Sequence, residues 1–104
     1  MSANERLGLQ QPEPVTQTIF YLLARHGGAA IVPIDDVVRD YFSHLSVDKF
    51  SRKVLAGAID LAIVRTDSSS QKSARGVFIT DLAAFIDKQR AAAIRERDAL
   101  RPAA

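Results

Sequence analysis

The chain has 104 residues, of which 47% are hydrophobic and 25% charged, values that predict one globular domain. Its formal net charge is only +2, so total charge does not by itself indicate a nucleic-acid partner. The absence of cysteine excludes disulfides, a thiolate nucleophile and a Cys-based zinc site. The longest apolar stretch, residues 29–34, is too short for a membrane span, and the polar N-terminus lacks a signal-peptide pattern. We therefore expect a soluble cytoplasmic protein.

The chain begins with a polar region and then a first helix. Residues 1–14 contain few large apolar side chains, so we expect a disordered N-terminal arm. A helix is predicted from Thr16 or Thr18 to Arg25, and the two glycines at 27 and 28 permit the left-handed conformation that ends many helices. The side chains expected on its buried face are Ile19, Phe20, Leu22 and Leu23.

A short strand and a second helix follow. Residues 30–32 are apolar and precede Pro33, which predicts a brief edge strand. The second helix is expected from Ile34 or Asp35 to Phe42, with carboxylates in its first turn, where the helix dipole favours them. Apolar residues at three- and four-residue steps define its core face, namely Ile34, Val37, Val38, Tyr41 and Phe42.

The third helix is predicted over Val47–Ala56, after the tight connection of residues 43–45. Ser46 has the chemistry of an N-cap, and Gly57 closes the helix. Two short helices joined by three or four residues are typical of a helix-turn-helix. The buried seam of the third helix is expected to consist of Val47, Phe50 and Val54.

Another face of the third helix carries the main functional signal. Lys49, Arg52, Lys53 and the small Ala56 recur at helical spacing. Lysine and arginine donate to guanine edges in the major groove or bind phosphates, and residues 46–76 carry six basic against three acidic side chains. A solvated basic face is the plain alternative. The DNA-binding residues that we predict on this recognition helix are Ser46, Lys49, Arg52 and Lys53.

A hairpin is predicted next. Its strands are expected at residues 59–65 and 77–79, and the polar residues between them suit phosphate oxygens or a minor-groove edge. We read this hairpin as a wing, although a plain flexible loop is an alternative. The DNA-binding residues that we predict on the wing and in the turn between the paired helices are His44, Arg65, Gln71, Lys72, Ser73 and Arg75.

The predicted fold is mainly α with a small β-hairpin: a winged helix-turn-helix of four helices plus a wing. Thr80 is expected to cap the fourth helix, whose core-facing residues are predicted to be Leu82, Phe85 and Ile86. The DNA-binding domain then covers residues 15–90, and residues 91–104 form a helical or frayed C-terminal tail.

The titratable residues do not indicate an enzyme. His26 and His44 lack a zinc-motif spacing. Asp35 and Asp36 are adjacent, so on a helix they point to different sides and make a poor catalytic pair. Gly27 and its neighbour lack the pattern of a phosphate-binding loop. We expect no catalytic residue, no metal, no cofactor and no small-molecule substrate.

Several strings of this sequence resemble the pyocin activator PrtN family. They are Ile31–Ile34, Arg39–Ser46, Lys49–Phe50, Arg52–Val54, Ala56–Gly57, Val64–Arg65, Ser70–Val77 and Thr80–Asp87. The resemblance covers residues 18–90 and departs from the family pattern at Leu61–Ala62, where Leu-Pro is expected. It implies a DNA-binding transcriptional activator of phage-tail-like bacteriocin or prophage genes, associated with the bacterial nucleoid. More distantly, the order of elements is similar to that of phage excisionases and the MerR group.

Two other functions remain open at this point. An excisionase-like architectural protein would bend DNA, and a protein-interaction module would use the fourth helix without binding DNA. The partners expected for an activator are double-stranded DNA, RNA polymerase and a second copy of the chain, because dimers pair half-sites. The apolar trace available for self-association is Ala93, Ile94 and Leu100.

Overall fold

The computed structural model describes residues 14–66 and 74–101. In these ranges the chain forms four helices and a three-stranded antiparallel sheet, which confirms the prediction of a mainly helical chain with a small β component. Most of the predicted arm and the residues 67–73 of the predicted loop lie outside the described ranges. The helices are α1 (Pro14–Arg25), α2 (Ile34–Tyr41), α3 (Val47–Leu55) and α4 (Ile79–Leu100), and the strands are β1 (Ile31–Pro33), β2 (Val64–Arg65) and β3 (Arg75–Phe78).

Helix α1 starts slightly earlier than predicted and ends where predicted. Gly27 and Gly28 have φ of 64° and 79°, and the Gly28 amide donates to the Leu23 carbonyl at 2.8 Å. Leu22 is buried, but Phe20 is 63% exposed, so its predicted burial is wrong. The reason is that α1 packs mainly against one helix, α4, and its buried stripe is too narrow to include Phe20.

The sheet has β3 in the middle, with β1 and β2 paired to it in antiparallel orientation. Strand β1 is therefore an edge strand, as the sequence predicted. Val32 is opposite Val77 in the register, and both side chains are fully buried. Since Gly76 pairs with both Pro33 and Val64, β3 needs a residue there that lets the neighbouring strand approach closely.

We expect Gly76→Ala to lower the free energy of unfolding by about 1–3 kcal/mol. An added Cβ would lie 2.5 Å from the Val32 carbonyl oxygen and 2.6 Å from Ile31 Cγ2, and the carbonyl belongs to a paired strand that cannot simply rotate away. Urea unfolding followed by circular dichroism measures the loss. An unchanged transition midpoint would show that β1 and β3 are not packed this closely.

Two predictions about the hairpin are corrected by the structure. Within the expected strand 59–65, only Val64–Arg65 pairs with β3, because Ile59, Leu61 and Ile63 pack on the core as an irregular segment. The second strand is Arg75–Phe78, and Ile79 belongs to α4. Thr80 does not cap α4: the N-cap position is Phe78, without a side-chain hydrogen bond. The Ile79 amide instead donates to the Ala30 carbonyl at 2.7 Å. This backbone carbonyl, next to β1, takes the place of an N-cap side chain.

The core lies between α1, α2, α3, the sheet and the first half of α4. Phe50 and Leu82 are completely buried, and the Phe42 ring lies 4.8 Å from Phe50 and 5.5 Å from Phe85, between centroids. The predicted seam of α3 and the core faces of α2 and α4 are confirmed, with their outer members partly buried. Helix α4 continues well beyond this core to Leu100, whose side chain is exposed.

Candidate nucleic-acid interface

The connection between α2 and α3 is short and held by local hydrogen bonds. The Leu45 amide donates to the Phe42 carbonyl at 2.8 Å, which turns the chain directly after α2. Ser46 has extended backbone angles, and its Oγ accepts a hydrogen bond from the Lys49 amide at 3.2 Å. Ser46 is thus an N-cap, as predicted, and it fixes the direction in which α3 leaves the turn.

The cations of α3 lie on its solvent side. Lys49, Arg52 and Lys53 are all exposed, whereas Phe50 is completely buried. Successive residues of a helix are about 100° apart, so Arg52 points almost directly away from Phe50. Among the described residues, none of the three cations forms an ion pair with a carboxylate. Their charges are therefore available to an anionic partner.

The two edges of the exposed face of α3 differ. Lys53 lies along a cleft between α3 and α4, so it belongs to the edge of the exposed face. On the opposite edge, Leu55 is 82% exposed at the end of α3. Leu55 was not singled out from the sequence. Its exposure could have been predicted, because Leu55 lies outside the buried seam of Val47, Phe50 and Val54.

The wing arginines differ in their surroundings. Arg65 is exposed, and its register partner Arg75 is partly buried. The Arg75 guanidinium donates through Nη1 to Ser51 Oγ at 3.2 Å, which ties β3 to α3. The sequence did not predict this contact, because the two residues are 24 positions apart. The predicted contact residues Gln71, Lys72 and Ser73 lie outside the described residues.

We predict that Ser51 and Arg75 are energetically coupled. In a double-mutant cycle, Ser51→Ala and Arg75→Ala should show a coupling free energy of about 0.5–1.5 kcal/mol in stability, the usual net value of one hydrogen bond. Urea unfolding of the two single variants and the double variant measures it. Additive losses would show that the wing is not attached to α3 through this pair.

The histidines have separate environments. His44 is exposed in the turn before α3, beside the cleft that Lys53 lines. His26 lies elsewhere: its Nε2 is 2.9 Å from the Tyr41 hydroxyl, in a contact between the end of α1 and the end of α2. Burial raises the pKa of Tyr41, and the neighbouring Asp40 carboxylate adds to this effect. His44 thus lies at the same cleft as Lys53, and His26 supports the packing of α1 on α2.

Two of the three carboxylates of α2 are paired with arginines. Arg39 Nε lies 2.9 Å from Asp40 Oδ1, and Arg25 Nη2 lies 3.1 Å from the same oxygen. The hydrogen bond from Arg39 lowers the pKa of Asp40 despite partial desolvation of the carboxylate. Asp36 also pairs with Arg39, at 3.1 Å. Asp36 and Asp40 are therefore engaged by arginines of α2 and α1.

In residues 14–66 and 74–101, no group of three or more His, Cys, Asp and Glu side chains is arranged so that it could hold a metal ion. None of the helices described there combines the length and the hydropathy that a membrane span requires.

Comparison with known proteins gives one family. The sequence model of the family described as Pyocin activator protein PrtN matches residues 18–93 of this chain. The match includes α2, the turn, α3, the sheet and the first part of α4, and it confirms the resemblance seen in the sequence. No match was found among the curated proteins or the solved structures.

Proposed function

This chain belongs to the pyocin activator PrtN family, and from that premise we propose that it is a sequence-specific, DNA-binding transcriptional activator. Its target genes would be those of a phage-tail-like bacteriocin or a prophage. In this proposal α2, the turn and α3 act as a helix-turn-helix, and the β2–β3 hairpin acts as a wing. The protein works in the bacterial cytoplasm, without an enzymatic step, a metal or a cofactor.

The observation that supports DNA binding best is the division of α3 into a buried and a cationic side. Phe50 anchors one side in the core, and the Ser46 cap fixes the start of the helix. An α-helix with its side chains is about 10–12 Å across, which fits a major groove about 12 Å wide, and the nine residues of α3 are about 13 Å long. Arg52 points furthest from the core, so we assign base contacts to Arg52 and phosphate contacts to Lys49 and Lys53.

The wing would add contacts beside the groove. The Arg75–Ser51 hydrogen bond holds β3 against α3, so we assign a positioning role to Arg75. The exposed Arg65 and the exposed His44 of the turn would then contact the phosphate backbone, and phosphate contacts by Gln71, Lys72 and Ser73 stay a prediction from the sequence. Phosphate contacts of this kind fix the register of a protein on DNA but carry no sequence information.

One such domain reads only a few base pairs, so we propose that two or more copies bind adjacent half-sites. The second half of α4 carries the partly exposed Ile94 and the exposed Leu100, which offer apolar area for this association. Deletion of residues 91–104 tests it: we expect the stoichiometry on DNA, measured by mass in solution, to fall. An unchanged stoichiometry and affinity would leave the end of α4 as a solvated helix.

Selection of bound fragments from random and genomic DNA tests the proposed function. We expect enrichment of one short motif, and activation of a reporter placed behind a promoter that contains it. Enrichment without a motif would reject sequence-specific recognition. A motif that supports DNA bending and recombination but no reporter activation would instead indicate the architectural, excisionase-like function.

A further inference from the structure

A cleft of about 410 Å³ lies between the α2–α3 turn, the segment after α3 and the middle of α4. Its floor is apolar and consists of Phe42, Leu45, Ile59 and Phe85. Phe42 is almost completely buried beneath it, and the other three side chains are partly exposed. The floor is therefore continuous with the core on its inner side, and its outer side is accessible to solvent.

The rim of the cleft is mainly cationic. Lys53, Lys88 and Arg95 line it, against the single carboxylate of Asp60. Lys88 is 3.0 Å from Asp60, but both side chains are more than two-thirds exposed, so this pair contributes little stability and is easily exchanged. Lys53 and Arg95 have no carboxylate partner among the described residues. The rim therefore offers positive charge on both walls of an apolar floor.

We propose that this cleft is a docking site for an acidic segment of a partner protein, bound through one or two large apolar side chains on the floor. An amphipathic peptide places apolar anchors in a groove and keeps its polar side chains at the rim. Carboxylates flanking those anchors would reach Lys53 on one wall and Arg95 on the other. This inference goes beyond the proposed DNA binding, since the α4 wall of the cleft is not part of the face that Arg52 presents.

An acidic peptide fits this surface better than duplex DNA. A duplex presents phosphates at its periphery and no flexible apolar side chain, so it would leave the floor of Phe42, Ile59 and Phe85 uncovered. A peptide covers that floor and pairs with the cations at the same time. Opposite charges at the rim would also speed association and favour acidic partners over basic ones.

The experiment is a selection from a randomised library of displayed linear peptides, with the full chain as bait at physiological ionic strength. The affinities of the enriched peptides are then measured by fluorescence anisotropy. Ala92→Trp fills the cleft from the α4 wall, and Arg95→Glu reverses a rim charge. Their matched controls are Ala91→Trp and Arg90→Glu, which make the same changes at exposed positions of α4 that do not line the cleft.

We expect acidic peptides with large apolar residues to be enriched, and their affinity to fall about tenfold or more in Ala92→Trp and Arg95→Glu. The two control variants should bind like the wild-type chain. Melting curves of all four variants establish that each is folded, and a DNA titration establishes that Ala92→Trp leaves the α3 face intact. If the peptide affinities follow these expectations but the wild-type chain binds no DNA, the docking site is supported and the proposed function is rejected.

Three outcomes would overturn the docking site. Enriched peptides that bind Ala92→Trp as tightly as the wild-type chain would place their site elsewhere. Peptides that bind Ala92→Trp but no longer bind the variant Lys49→Ala plus Arg52→Ala would occupy the proposed DNA-binding face of α3. A fall in the solution mass of the free protein on Ala92→Trp would show that a second copy of the chain covers the cleft.

Discussion

Phe50→Ala is expected to lower the free energy of unfolding by about 3–5 kcal/mol. The side chain is completely buried, and its ring packs on Phe42 with centroids 4.8 Å apart. Truncation would leave a cavity where α3 meets the core, and the surrounding helices cannot close it fully. Small domains have total stabilities of about 5–15 kcal/mol, so a large share of the stability would be lost.

Phe20→Ala is the matched control for this prediction. It removes the same atoms from α1, but Phe20 is 63% exposed, so we expect a change within about 0.5 kcal/mol. Thermal and urea unfolding, followed by circular dichroism, measure both variants. Equal losses in the two, or a melting temperature of Phe50→Ala close to that of the wild-type chain, would mean that α3 is rotated about its axis from the orientation described.

The combined variant Lys49→Ala, Arg52→Ala and Lys53→Ala is expected to lose most of its DNA affinity and to keep its fold. If Arg52 reads a base, its removal should cost about 1–3 kcal/mol and relax the preference at one position. Removal of a lysine that binds phosphate should weaken binding to every duplex and lower the salt slope by about one. Lys53 lies at the edge of the face, beside the cleft, so we expect Lys53→Ala to cost least.

The control replaces the same number of cations on α4 and at its C-cap. Arg90, Arg97 and Arg101 are exposed, and their combined change to alanine alters the net charge by the same amount as the α3 variant. Anisotropy titrations of a duplex recovered by selection compare the two. Equal affinity losses would show that binding follows net charge, and undiminished affinity of the α3 variant would remove α3 from the interface.

Much of the helical part of the fold was predictable because its signals are local. The three- and four-residue steps of Ile34, Val37 and Val38 indicate which side of α2 is buried, and the chemistry of Ser46 marks the start of α3. Each signal lies within a turn or two of the element that it specifies. The side of α3 that carries Arg52 follows from the burial of Phe50 alone.

The errors concern features that depend on distant parts of the chain. Residues 59–63 alternate like a strand, but in this segment only residues 64 and 65 pair with β3, and the apolar side chains before them pack on the core. Thr80 has the chemistry of a cap, yet the sheet already positions the start of α4. The Arg75–Ser51 contact and the cleft beside α4 likewise require the folded chain.

The proposal that α3 reads DNA is tested most directly by one comparison, made at several salt concentrations. Wild-type protein and Arg52→Ala are titrated into the selected duplex and into a duplex of scrambled sequence, with binding followed by anisotropy. We predict that the wild-type chain prefers the selected duplex, and that Arg52→Ala loses this preference while its affinity for the scrambled duplex changes much less. Equal affinity of the wild-type chain for both duplexes, or no binding to either at low salt, would contradict it.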